Sequence, residues 1–135
     1  MQIIDAPPDE ATLARLGQEA SQLLCSGEIG ILAARFGYAL AFDRELEMAI
    51  REDLKDCLRQ LESPGLAPHF ESGSEVKFFQ PNDVGLFALV ACDVPTVDGK
   101  EVLVELIVTA KGPDKYITLE DMSVVGATDH ELPFK

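Results

Sequence analysis

The chain has 135 residues, 47% hydrophobic and 26% charged, with 24 acidic against 11 basic side chains and a net charge of −13. That length suits one domain of roughly 100–150 residues, and the composition excludes wholesale disorder and any need for a metal or disulfide staple. The acidity is not a tail, since residues 1–65 hold 12 acids and 6 bases (net −6) and residues 66–135 hold 12 and 5 (net −7).

Helices are expected from about residue 9 to 63. Pro7-Pro8-Asp9-Glu10 marks a helix start with Asp9 as N-cap, followed by Leu13, Leu16, Ala20, Leu23 and Leu24 at helical spacing. Gly27 is the expected stop. A shorter helix over 28–36 places Ile29, Leu32, Ala33 and Phe36 on one face, and Gly37 ends it. Asp43 is read as the start of a third helix, striped by Leu46, Ile50, Leu54, Cys57, Leu58 and Leu61, with Leu54 at its centre. Ser63-Pro64-Gly65 terminates it.

The period then falls from 3.6 to 2. Strands are expected over 75–80, 86–94, 101–110 and 115–125, joined by short turns that include Asp98-Gly99, a strong hairpin signal. The fold class is therefore α+β, with N-terminal helices packed on one face of a four-stranded antiparallel meander. The tail, 126–135, reads as loosely held, although Leu132 and Phe134 could dock.

The strands do not alternate cleanly between apolar and polar, as a sheet with one wet face should. Val102, Val104, Leu106 and Val108 point one way, yet Leu103 and Ile107 accompany Glu101, Glu105 and Thr109 on the other. The face away from the helices is assigned Phe87, Leu89, Leu103, Glu105, Ile107, Ile117 and Leu119, a set too apolar for open water. It is expected to be a dimer interface, a ligand pocket or a partner-binding surface, or else to be covered by a strongly curled sheet and the tail.

Catalytic chemistry is sparse. His69 and His130 have no nucleophile beside them in any motif, and no glycine-rich phosphate loop occurs. Glu120-Asp121 allows two readings. One carboxylate could turn toward the core as a general acid or base with a raised pKa, or a strand bulge could leave both in water. Cys25, Cys57 and Cys92 form neither a disulfide framework nor a zinc motif, so they are expected to be reduced and buried, as in a cytoplasmic protein. The start of the chain lacks the basic and apolar regions of a secretion signal, and no apolar run approaches a membrane span of roughly 20 residues. No cofactor or metal is implied. A field of this sign repels nucleic acid and anionic membranes and favours a basic protein partner.

Ser26-Gly27-Glu28 after the first helix, Asp93-Val94-Pro95 at a strand end, and Glu120-Asp121 in a final strand running from Lys115 to Val125 give a resemblance. Over about residues 20–125 the chain resembles small bacterial α+β domains of unknown function. Helices followed by a meander are also similar to the cone-shaped NTF2-like fold, with fewer strands, and many small immunity proteins share the acidity. These resemblances imply homodimerisation or a pocket, and no catalytic residue is carried over. Two functions follow as expectations. One is a non-enzymatic acidic binding protein of immunity type that neutralises a basic partner. The other is an NTF2-like small-ligand or isomerase-like domain with a pocket on the sheet.

Overall fold

A computed structural model describes residues 1–4, 6–69 and 74–124. The tail 126–135 lies outside the described residues, and with it His130, Leu132 and Phe134. Among the described residues three α-helices precede the four strands that the periodicity implies. Helix α1 is Glu10–Cys25, α2 is Ile29–Phe36 and α3 is Leu46–Leu61. Asp9 caps α1, its Oδ1 accepting the Thr12 N–H at 2.9 Å. The stop falls at Ser26, with Gly27 just beyond it at φ 79°. Gly37 ends α2 at φ 71°.

The passage into α3 differs from expectation. A short 3-10 turn, Ala39–Ala41, follows α2, and then Phe42 and Asp43 both take left-handed backbone angles (φ 49° and 70°). The chain reverses there, so Asp43 belongs to the reversal. The N-cap is Glu45, whose carboxylate accepts the Met48 and Glu47 N–H groups at 3.1 and 3.2 Å. Within α3 the buried residues are Ala49, Ile50, Cys57 and Leu61, while Leu54 is half-buried. The centre of the stripe is therefore Ile50, not Leu54.

Among the described residues the sheet has five strands, one more than expected: β1 Gln2–Ile3, β2 Ser74–Phe78, β3 Leu86–Pro95, β4 Glu101–Lys111 and β5 Asp114–Val124. All pair antiparallel in the order β1-β5-β4-β3-β2. The extra strand, β1, is only two residues long. It is held by a backbone exchange in which the Met1 ammonium donates to Ile117 O (2.9 Å) and Ile117 N–H donates to Met1 O (2.8 Å). The β3–β4 hairpin turns at Asp98-Gly99, with Gly99 at φ 87°. The Thr96 hydroxyl accepts the Lys100 N–H and donates to Asp98 Oδ1, at 2.8 and 2.6 Å.

The core lies between the helices and one face of this sheet. Ala88, Val90, Cys92, Val94, Val102, Val104, Leu106, Val108, Ile117 and Leu119 are essentially inaccessible there. Helix α1 comes so close that a Cβ on Gly17 would sit 2.6 Å from Val90 Cγ1 and 2.8 Å from Ser74 Oγ. Only glycine permits that approach. No helix among the described residues is long and apolar enough to cross a membrane.

Candidate functional site

The face of the sheet turned away from the core is built in cross-strand rows. Strand register places Lys77, Leu89, Ile107 and Thr118 in one row. Beside it runs a row of Glu75, Ala91, Glu105 and Asp121, and beyond that Asp93, Leu103 and Ser123. Glu120 is the extra residue of a β-bulge, where the register of β5 against β4 steps between Leu106↔Leu119 and Glu105↔Asp121. A bulge places two residues opposite one, so Glu120 and Asp121 both crowd Glu105. Of the two readings of this acidic pair the bulge is the one observed, although both side chains are half-buried rather than freely in water.

The carboxylates perturb one another. Glu105 is half-buried, and its pKa is raised first by desolvation and then by the charges of Asp121 and Glu120. Leu89, Leu103 and Ile107 flank this row and are also half-buried. Near the β2 end, Glu75, Val76, Lys77, Leu89 and Ala91 line a shallow depression of about 330 Å³.

Three residues assigned to this face lie elsewhere. Ile117 and Leu119 are fully buried under the helices, because register sets them opposite Val108 and Leu106 of the core row. Their neighbours Tyr116 and Thr118 occupy the outer face instead, and that polarity was the available signal. Phe87 sits at a second bulge, between Leu86 and Ala88, and packs against the core cluster. Its ring meets Phe78 edge-on (centroids 5.6 Å apart), and the Lys115 ammonium lies 5.0 Å from its centre. A pocket lined jointly by Phe87, Leu103 and Ile117 is therefore not formed. Leu89, Leu103, Glu105 and Ile107 do share the outer face.

No protein-family model, curated protein or solved structure matches this chain.

One polar cluster escaped the sequence reading. The Tyr38 hydroxyl, in a residue 5% exposed, donates to Asp53 Oδ2 at 2.6 Å, and Arg44 forks onto both Asp53 oxygens at 3.0 and 3.1 Å. Arg44 also donates to Glu52 and to the Ala41 and Leu40 carbonyls at 3.1, 2.8 and 2.7 Å. Its donors are spent tying the 3-10 turn to α3. Hydrogen bonds from Arg44 hold the Asp53 pKa low, while burial and then the Asp53 carboxylate push Tyr38 up. The cluster is a clamp, with no free acid or base to offer a substrate.

The thiols are equally inert. Burial raises Cys25 and Cys57 to about 11 and also raises Cys92, so a nucleophilic thiolate is disfavoured at each. Cys57 and Cys92 are buried as expected, but Cys25, at the end of α1, is only half-buried. His69 is exposed. Among the described residues no three His, Cys, Asp or Glu side chains converge as metal ligands.

Proposed function

We propose that this protein is a non-enzymatic binding module that takes a basic protein segment across the outer face of its sheet, as an immunity-type protein neutralises a cationic partner. The observation that carries this reading is the carboxylate row Glu75, Glu105, Glu120 and Asp121, running across the sheet between Leu89 and Ile107 on one side and Leu103 on the other. Packing like charges at half-buried positions is unfavourable, and an incoming Lys or Arg relieves it while its aliphatic stem covers the leucines. Apposing this face on its own copy would lay the row against itself. A basic amphipathic segment matches both its charge and its apolar flanks.

The test is titration of a labelled peptide of alternating Lys and Leu at low ionic strength, against wild type, Glu105→Gln and Gln60→Lys. Both substitutions change the net charge by the same amount, but Gln60 is exposed on α3. Affinity should fall several-fold for Glu105→Gln and hardly move for Gln60→Lys. Equal effects would show attraction to net charge alone, and absent binding by wild type would end the proposal.

A further inference from the structure

The outer edge of β2 fits a second copy of itself. Strand β2 is the last strand of the sheet, and among the described residues it pairs only with β3. The Phe79 N–H donates to Phe87 O at 3.0 Å, one step beyond the Phe78↔Ala88 pair of the same ladder. Antiparallel strands alternate the direction of their backbone groups. Lys77 and Glu75 therefore turn theirs toward β3, and Ser74, Val76 and Phe78 turn theirs outward. An outward row of N–H and C=O groups is a template for another strand. Phe78, 45% exposed at this edge, adds apolar surface that such a strand would cover.

The sequence of the strand selects its partner. In Ser74-Glu75-Val76-Lys77-Phe78 a glutamate and a lysine flank a central valine. A two-fold axis at Val76 would set each Val76 opposite the other, each Ser74 opposite a Phe78, and each Glu75 opposite a Lys77. Val76 and the Ser74–Phe78 pairs would exchange the outward backbone hydrogen bonds. The Glu75–Lys77 pairs would occupy the closer, non-hydrogen-bonded sites, with Cα atoms about 4.5 Å apart, where opposite charges are favourable. Moving the axis by one residue sets Glu75 against Glu75 or Lys77 against Lys77 and points the wrong backbone groups across the junction. We propose that two copies of this chain pair antiparallel through β2 about Val76, joining two five-stranded sheets into one continuous sheet and leaving the acidic face of each uncovered.

This proposal does not depend on the binding function, and it differs from a dimer packed through the sheet face. Sedimentation equilibrium at about 100 µM, where a micromolar dimer would be mostly assembled, tests it with three variants. Val76→Pro removes an outward N–H that no described residue accepts, a change tolerated on edge strands. Lys77→Glu sets Glu75 against a glutamate at both ends of the junction. Glu75→Lys combined with Lys77→Glu restores opposite charges with their places exchanged. Wild type should be dimeric, each single variant monomeric with unchanged circular dichroism, and the double variant dimeric again. A monomeric wild type, a dimer that survives Val76→Pro or Lys77→Glu, or a double variant that stays monomeric would each overturn the pairing. Lys77→Glu keeps the test decisive if the proline variant fails to fold.

Discussion

Strand β4 sets two regions of the molecule side by side. Val102, Val104, Leu106 and Val108 are no more than 1% exposed, whereas Leu103 and Ile107, alternating with them on the same strand, are half-buried. Residues of near-equal hydrophobicity meet different fates because α1, α2 and α3 cover one side only. The difference teaches that apolar character makes burial possible, and that the layer packed on top decides it. The helix-side residues stabilise the fold. The outer ones, mixed with carboxylates, form the surface available to a partner.

The sharpest way to break this contrast is to truncate neighbouring residues. Leu106→Ala should destabilise by about 2–5 kcal/mol, the range for a cavity in a packed core. Ile107→Ala, one residue on, should cost about 1 kcal/mol, in keeping with its partial burial. Urea melts that give equal losses would mean the two faces are energetically alike. Gly17→Ala probes the helix layer from above. The added methyl meets Val90, Ser74 and Cys92 at 2.6 to 3.1 Å, and such overpacking should cost about 1–3 kcal/mol. An unchanged melting temperature would show that α1 can shift away from β3.

The smallest effect, and of opposite sign, belongs to the outer face. Because the folded-state pKa of Glu105 is raised, principally by desolvation, the folded protein holds this proton more tightly than the unfolded chain does. Stability from this residue is intact below about pH 4.5, its ordinary value. It is lost as pH rises through the window up to the raised value. Glu105→Gln should therefore stabilise the protein at pH 7, by no more than about 0.5 kcal/mol given the solvent screening of a half-buried group. The gain should vanish in acid. A gain that persists at pH 3 would assign it to something other than charge.

Much of this arrangement was legible from residue periods and turn chemistry. The α+β class, the Asp9 cap, the extents of α2, β3 and β4, and the Asp98-Gly99 hairpin all follow from local signals. Strand β1 was not legible, because two residues carry no period and its pairing depends on contact with Ile117 across the chain. The Arg44–Asp53 clamp was hidden for a similar reason, since its partners meet only after the chain reverses through Phe42 and Asp43. On the outer face, Leu103, Glu105 and Ile107 could be grouped by alternation within β4 alone, and Leu89 joins them through its register with Ile107. Placing Ile117 and Leu119 with them failed because alternation fixes the phase within a strand, while its phase relative to the next strand comes from register.

The bulge at Glu120 makes β5 a text read in two frames. Before it the odd residues Ile117 and Leu119 are buried, and after it the even residue Met122 is. Straightening the bulge with Glu120 kept would act as a frameshift: with β4 still holding Leu119 against Leu106, Asp121 and Ser123 would be carried under the helices and Met122 and Val124 expelled. Deleting Glu120 would instead keep both frames, leaving Asp121 opposite Glu105 and Met122 opposite Val104. The same one-residue insertion lets an acidic pair face outward in a strand whose two ends both serve the core.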